Sequence, residues 1–312
     1  MRKVVRMNAL AVYMRATLIA LLLLCLTVHA QAFDFSATTP EKFKISLIAG
    51  GYVIKVFVFH PANCPNPDVL FVLHGIKRNA SKLRDRAAAL ASKHCTVLFA
   101  PLFDADRFPS RRYQRGGITR SGKILAPERW TSHILSELIT FSKSYVANCC
   151  RGGAQAVKGV RTILFGHSAG GQFLSRVAAY GNLKVERYIV ANPSTHVLAS
   201  TEEPAPYGFA QFKEPDKTTL LRRYLAKPVA IILGNEDTGQ KYLNKGSAGM
   251  RQGRNRLERG RFTYSKAIKT ARELDAHFNW TFIEVDGVGH SSRRILRSEA
   301  VSRLVADTLF RK

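Results

Sequence analysis

The chain has 312 residues, of which 46% are hydrophobic, enough for one large domain or two ordinary domains with a substantial core. It contains no internal repeat and no low-complexity segment, which excludes a repeat protein. A formal net charge of +26, from 48 Lys and Arg against 22 Asp and Glu, favours anionic surfaces or substrates without naming a partner.

The first 32 residues are typical of a Sec signal peptide. Arg15 precedes an apolar run at residues 18–28, and the run is followed by the small-x-small cleavage signature AQA at residues 30–32. The run is shorter than the roughly 20 apolar residues that a membrane-spanning helix needs. We therefore expect cleavage near Ala32 and a periplasmic or secreted protein; an uncleaved membrane anchor is the alternative. Met14 would serve as a start for this peptide as well as Met1.

After the signal peptide, the chain opens with an expected antiparallel hairpin. Residues 44–47 and 52–59 alternate apolar and polar side chains around two glycines. Two continuous apolar runs, residues 69–73 and 96–100, are typical of buried parallel strands, and a helix is expected between them at residues 81–93.

The rest of the chain alternates buried strands with amphipathic helices. Further strands are predicted at residues 162–165, 188–191, 229–233 and 281–285, and further helices at 130–146, after residue 168, at 266–278 and at 291–309. Three stretches are irregular: a loop at 101–127, a segment at 192–215 that could cover a site, and a basic insertion at 238–262. Together these patterns predict a mostly parallel, eight-stranded α/β sheet with helices on both faces, forming one catalytic domain over residues 33–312.

The sequence GHSAGG at residues 166–171 follows the strand predicted at 162–165 and precedes a helical pattern. A serine forced into a sharp strand-to-helix turn requires very small residues two positions before and after it, here Gly166 and Gly170. The turn also puts the hydroxyl at a helix N-terminus, where backbone N–H groups stabilise negative charge. We interpret Ser168 as a nucleophile.

Asp237 and His290 follow two other predicted parallel strands. Because the carboxyl ends of parallel strands share one edge of a sheet, we expect Ser168, Asp237 and His290 to meet there. Glu236 and Asp286 are the rival acids. His74 and His167 are interpreted as parts of turns rather than as bases.

The GHSAGG turn, the positions of Asp237 and His290, and His74-Gly75 after the third strand are similar to those of the α/β-hydrolase superfamily. The resemblance covers nearly all of the mature chain. The resemblance implies that His290 takes the proton of Ser168 and that Asp237 orients the imidazole. It implies an oxyanion hole made by the N–H groups of Ile76 and Ala169, with no cofactor and no metal.

The opening hairpin, the signal peptide and the Asn192-Pro193-Ser194 segment are most similar to secreted esterases, the group that spans polyhydroxyalkanoate depolymerases and feruloyl esterases. Because there is no separate substrate-binding domain, we expect a small or oligomeric ester rather than a crystalline polymer. The alternatives are a serine peptidase, an acyltransferase or a non-catalytic polyanion-binding protein. The chain has no nucleic-acid-binding motif, and its oligomeric state stays open.

Basic residues crowd the predicted active edge. Either they form a solvated surface, which we favour and which allows association with an anionic cell surface, or they hold an anionic ester. Tyr113, Gln114 and Arg115 are candidate substrate contacts. The basic residues concerned are Lys77, Arg78, Arg111, Arg112, Arg115, Arg251, Arg254, Arg256, Arg259 and Arg261.

Four cysteines remain in the expected mature chain, each just before a predicted strand and so at the end opposite the active edge. We expect a disulfide between Cys64 and Cys95, and we expect Cys149 and Cys150 not to pair with each other, because a bridge between adjacent residues is strained. A metal site is the competing interpretation, since His60 and His94 lie near cysteines, although no C-x-x-C or paired-His spacing supports it.

Overall fold

The computed structural model describes residues 39–310. The predicted signal peptide at residues 1–32 lies outside this range. Within it, no helix is long and apolar enough to cross a membrane. The strands are β1 Glu41–Ala49, β2 Tyr52–His60, β3 Asp68–Leu73, β4 Thr96–Pro101, β5 Thr119–Arg120, β6 Lys123–Ile124, β7 Thr162–His167, β8 Arg187–Ala191, β9 Val229–Gly234 and β10 Trp280–Val285.

Eight of these strands form one sheet in the order β1-β2-β4-β3-β7-β8-β9-β10. Strand β1 pairs antiparallel with β2, and β2 pairs antiparallel with β4. The remaining pairs are parallel. The predicted eight-stranded, mostly parallel sheet with an opening hairpin is confirmed, and β5 and β6 form a separate two-stranded ribbon in the loop before the second long helix.

Helices cover both faces of the sheet. They are α1 Ala80–Lys93, α2 Thr131–Cys150, α3 Ala169–Tyr180, α4 Asp216–Ala226, α5 Ser247–Met250, α6 Arg256–Glu273, α7 Ser292–Arg297 and α8 Glu299–Phe310. Each face carries its own hydrophobic core: one joins the sheet to α1, α7 and α8, and the other joins it to α2, α3, α4 and α6. This two-sided cover explains why the parallel strands are apolar at nearly every position.

Two helical predictions need correction, and one helix lies where no element is predicted. Helix α6 begins ten residues before the predicted start, because the Asn255 side chain caps it by accepting from the Glu258 N–H at 2.9 Å. The expected helix at 291–309 is two helices separated by Ser298, whose hydroxyl caps the second by accepting from the Val301 N–H at 3.3 Å. Helix α4 has no counterpart among the predicted elements; it lies between the segment expected to be irregular, which ends at residue 215, and β9.

The cysteines confirm one expectation and refute another. Cys64 and Cys95 form a disulfide with a Cα–Cα distance of 5.3 Å. Cys149 and Cys150 also pair with each other, so the prediction that they do not is wrong. They are the last two residues of α2, where no further helical turn has to accommodate the bridge. His60 Nε2 lies 3.4 Å from Cys150 Sγ.

Candidate active site

The turn between β7 and α3 holds Ser168 in a conformation that few residues adopt, with φ of 58° and ψ of −115°. The flanking glycines make this turn possible. A β-carbon on Gly166 would collide with the carbonyl of Gly170, and one on Gly170 would collide with the carbonyl of Leu73. One on Gly171 would lie 2.8 Å from the carbonyl oxygen of Ala191, so this glycine lets α3 lie against the sheet.

The structure brings together the three residues predicted from the ends of β7, β9 and β10. His290 Nε2 lies 3.0 Å from Ser168 Oγ, and His290 Nδ1 lies 2.7 Å from Asp237 Oδ2. Asp237 is buried, Ser168 is nearly so, and the side chain of His290 is 29% exposed. A hydroxyl, an imidazole and a carboxylate in this chain of hydrogen bonds are the groups that nucleophilic acyl transfer requires.

The two rival acids lie elsewhere. Asp286 accepts a hydrogen bond from Asn235 Nδ2 at 2.9 Å. Glu236 is exposed at the surface of the same loop as Asp237. Of the three carboxylates considered, Asp237 alone contacts His290.

Arg256 supports the buried carboxylate of Asp237, a role that the sequence did not reveal. Its Nη1 lies 3.3 Å from Asp237 Oδ1, and both side chains are only 1% exposed. The guanidinium also donates to the carbonyls of Gly239 and Lys241. Burial lowers the pKa of Arg256, and the negative charge of Asp237 partly offsets this. Arg256 therefore fixes the loop after β9 as well as one oxygen of the carboxylate.

Asn192 at the end of β8 also holds the site together. Its Oδ1 accepts from the Gly234 N–H at 2.9 Å, and its Nδ2 donates to the carbonyl of Gly289 at 3.4 Å, so it links the end of β9 to the loop after β10, next to His290. In the sequence, Asn192 is distinguished only by the resemblance of residues 192–194 to secreted esterases, which gives it no such role.

The His74-Gly75 turn passes beside the nucleophile, since a β-carbon added to Gly75 would lie 3.7 Å from Ser168 Cβ. His74 is fully used in holding this turn: Nδ1 donates to the Gly75 carbonyl at 3.0 Å, and Nε2 accepts from the Phe103 N–H at 3.1 Å. Acceptance at Nε2 requires the neutral ring, and burial lowers the pKa of His74 to about 4. The N–H of Ala169, the first residue of α3, belongs to the helix-start groups that lack an intrahelical acceptor. The oxyanion role of Ala169 and Ile76 stays a prediction.

Tyr113 lies beneath this turn and not at the surface. Its ring is 0% exposed, and its hydroxyl donates to the His74 carbonyl at 2.8 Å. The guanidinium of Arg78 covers the ring at 4.4 Å and donates to two loop carbonyls. The prediction that Tyr113 binds substrate is therefore wrong, because the aromatic side chain is drawn into the core. Gln114 is 9% exposed, which argues against its predicted substrate contact, and Arg115 is half-buried.

The basic insertion after β9 divides into structural roles. Arg256 and Arg259 are buried, and Arg259 donates to the carbonyls of Ser194 and Gly253. Arg251 pairs with Glu203 and Arg261 with Glu284. These four arginines therefore form neither a solvated patch of free charge nor a substrate clamp, because carbonyls and carboxylates of the protein itself engage them.

A cavity of about 320 Å³ opens at Ser168 and His290. Three of its lining residues are cationic, namely Lys77, Lys82 and Arg86, and none is acidic. Arg86 donates to Ser292 Oγ at 2.7 Å, whereas Lys77 and Lys82 are exposed and form no ion pair within residues 39–310.

The same cavity has two apolar side chains at its rim and one imidazole in its wall. Ile76 and Tyr242 are 42% and 56% exposed. His167 packs against the His290 ring with centroids 4.7 Å apart, and burial holds the pKa of His167 well below its ordinary value. A neutral ring next to His290 adds bulk without adding charge. A larger cavity of about 620 Å³, lined by Trp130, Tyr180 and others, contains none of the three triad residues.

Comparison with known proteins identifies the fold. No protein-family model and no curated protein matches the chain. Among solved structures, poly(aspartic acid) hydrolase-1 from Sphingomonas sp. KT-1 is similar at 27% identity and a TM-score of 0.73, over 86% of this chain and 98% of that one. A poly(3-hydroxybutyrate) depolymerase from Bordetella parapertussis gives 24% identity and a TM-score of 0.72 over 89% and 92%. A fluorophosphonate-binding serine hydrolase from Staphylococcus aureus gives 13% and 0.51 over 88% and 100%.

Proposed function

We propose that this protein, a serine hydrolase of the α/β-hydrolase fold, cleaves the acyl bond of a small or oligomeric substrate that carries carboxylate groups. An ester is the first candidate for that bond. The proposal has two parts, the acyl-serine chemistry of the triad and the anionic character of the substrate, and each has its own support and its own test.

The chemistry follows from the three hydrogen-bonded residues. His290 removes the proton of the Ser168 hydroxyl as the oxygen attacks the acyl carbon, and it then delivers that proton to the leaving group. Asp237 keeps the Nδ1–H tautomer and stabilises the imidazolium. The N–H groups of Ile76 and Ala169 stabilise the oxyanion. Water, deprotonated by His290, then attacks the acyl carbon of the acyl-serine; the bond to Ser168 Oγ breaks, the acid is released, and His290 returns the proton to Ser168.

The positive charge of the cavity at Ser168 is the observation that supports an anionic substrate. Its lining includes Lys77, Lys82 and Arg86 and no Asp or Glu. Lys77 and Lys82 have no carboxylate partner among the described residues, so a substrate carboxylate would supply one. The net charge of +26 would also raise the association rate of anionic molecules.

An amide is the second candidate for the scissile bond. The relative at 27% identity is a poly(aspartic acid) hydrolase, and its substrate is an anionic polyamide. The same triad cleaves amides when the leaving nitrogen is protonated by the histidine.

We further propose that the protein is exported, because residues 1–32 are typical of a signal peptide.

Two matched substrates test the proposal. p-Nitrophenyl hemisuccinate and its methyl ester share the scissile bond and differ in one negative charge. We expect a higher kcat/KM for the hemisuccinate, a preference that falls as salt is raised. Replacing both lysines, as Lys77→Gln with Lys82→Gln, should lower kcat/KM for the hemisuccinate about tenfold, a loss of about 1.4 kcal/mol of transition-state stabilisation. The kcat/KM for the methyl ester should not change. Lys158→Gln, an exposed charge in another part of the surface, is the control.

Ser168→Ala separates the two parts of the proposal. This variant should retain its fold and lose hydrolysis of both esters and of poly(aspartic acid), followed for the polymer by size-exclusion chromatography. Equal activity on the charged and the neutral ester, abolished by Ser168→Ala, would refute the anionic substrate and keep the triad. Full activity in Ser168→Ala would refute the triad itself.

A further inference from the structure

A second cationic cavity lies away from the triad. It has a volume of about 320 Å³, and it is bounded by the turn between β1 and β2, the loop between β4 and α2, and the first turn of α2. It shares no lining residue with the cavity at Ser168. We call it the arginine pocket, because its charged lining consists of Arg111, Arg112, Arg120 and Arg129, with a single acid, Glu128.

The arginines of this pocket have no carboxylate partner within residues 39–310. None of the four forms an ion pair within the part of the chain that the structure describes, and Glu128 is itself exposed and unpaired there. Elsewhere in the protein arginines do pair, as Arg251 does with Glu203 and Arg261 with Glu284. The arginine pocket therefore contains guanidinium groups whose charge no carboxylate of the described part of the chain neutralises.

One of these groups is fixed before any ligand arrives. Arg112 donates to the Tyr52 hydroxyl at 2.7 Å, and its guanidinium lies 4.9 Å from the centroid of the Tyr52 ring and 5.0 Å from that of Phe108. The hydrogen bond and the contact with both rings hold the planar guanidinium in place and so lower the entropy lost when an anion binds.

Electrostatic repulsion within the cluster points the same way. Burial and the neighbouring charges of Arg120, Arg112, Arg115 and Arg129 lower the pKa of Arg111. Helix α2, of 20 residues, begins at this pocket with no acidic residue in its first turn, so its dipole adds positive potential. A bound anion would relieve both effects.

We propose that the arginine pocket is a second anion-binding site, which takes a carboxylate or phosphate group through bidentate guanidinium contacts. The group belongs either to a free small anion or to a distal part of an anionic substrate. This site does not depend on the proposed activity, because its lining and its charge are separate from those of the triad.

Calorimetric titration of the Ser168→Ala protein tests the site without turnover. The probes are inorganic phosphate and a short aspartic acid oligomer. We expect binding that weakens at least tenfold in the double variant Arg120→Gln with Arg129→Gln. Both arginines are exposed, so these replacements should leave folding intact. The control is Lys158→Gln with Lys184→Gln, which removes two exposed charges outside the pocket and should leave the affinity unchanged.

Binding of phosphate by the pocket would identify a free anion as a sufficient ligand, and binding of the oligomer alone would assign the site to substrate. The idea is overturned if neither probe binds, or if the control variant weakens binding as much as the pocket variant does. If Lys77→Gln with Lys82→Gln, and not the pocket variant, weakens anion binding, the anion binds in the cavity at Ser168 and the proposed second site is overturned too. A second readout is thermal: phosphate should raise the Tm of the parent and not that of the pocket variant.

Discussion

Replacing Tyr113 with phenylalanine removes one buried hydroxyl and keeps the ring. That ring packs against His74, Phe103 and Phe173 with centroids 4.8, 5.3 and 5.2 Å apart, and phenylalanine preserves these contacts. The hydroxyl donates to the His74 carbonyl at 2.8 Å, so the variant leaves that carbonyl without this donor. An unsatisfied buried acceptor costs about 1–3 kcal/mol, and we expect the free energy of unfolding to fall by that amount.

The lost bond should also affect catalysis. The His74 carbonyl belongs to the turn that carries Ile76, and removing a whole oxyanion donor from an enzyme costs about 10²–10³ in kcat. Loosening the turn is a smaller perturbation, so we expect kcat for Tyr113→Phe to fall about tenfold with KM nearly unchanged.

Urea denaturation gives the stability, and steady-state hydrolysis of p-nitrophenyl hemisuccinate gives kcat and KM. Tyr188→Phe is a matched control: the ring is buried, and its hydroxyl donates to the carbonyl of Leu183 at 2.8 Å. Leu183 lies in the loop that enters β8, at the opposite end of the parallel strands from the triad. It should lose similar stability and keep its kcat. A raised KM with unchanged stability in Tyr113→Phe would instead indicate contact with substrate and refute the reasoning. An equal loss of kcat in both variants would refute the link to the oxyanion turn.

Three further outcomes are expected. Arg256→Met breaks a buried pair with Asp237 and should lower the free energy of unfolding by about 3–5 kcal/mol in urea; a loss below about 1 kcal/mol would contradict the pairing. Because burial lowers the pKa of His74 to about 4 from an ordinary value of 6.5, the unfolded chain binds the extra proton first. Stability should therefore fall as the pH drops from about 6.5 towards 4, by about 1.4 kcal/mol per pH unit from this residue; denaturation curves that coincide at pH 7 and pH 5 would exclude it. Gly170→Ala should prevent native folding, because its β-carbon would collide with the Leu73 carbonyl, and no cooperative transition should appear in thermal melting. Gly239→Ala, with open space around the new β-carbon, should have the Tm of the parent.

The strands and the triad could be predicted because their signals are local. Each parallel strand is a short, mainly apolar run, and Ser168, Asp237 and His290 each follow the end of one such strand within a short loop. Parallel topology then brings them to one edge without any knowledge of side-chain contacts. The glycines of the elbow could likewise be interpreted from the steric demands of one turn.

The support of the site could not be predicted in the same way. Arg256 is one of five arginines in a basic segment, and only the tertiary position of Asp237 and two loop carbonyls distinguishes it from the others. Tyr113 lies in a loop rich in arginine and glycine, where nothing in the local pattern indicates burial. For α6 a signal did exist, since Asn255 followed by Glu258 is a capping pattern, but the charged residues around it concealed the helix.

The buried arginines have a consequence for how this protein could be adapted to new substrates. Arg176, Arg256 and Arg259 are among its largest fully buried side chains. Arg176 donates to the carbonyls of Thr195 and Pro206, as the other two do to neighbouring irregular segments. Segments of this kind are usually where specificity is exchanged by insertion and deletion. Here a change in the length of these segments would leave a buried guanidinium without its carbonyl acceptors, which is costly. Laboratory evolution should therefore keep their present length and begin at the exposed rim formed by Ile76, Lys77, Lys82 and Tyr242.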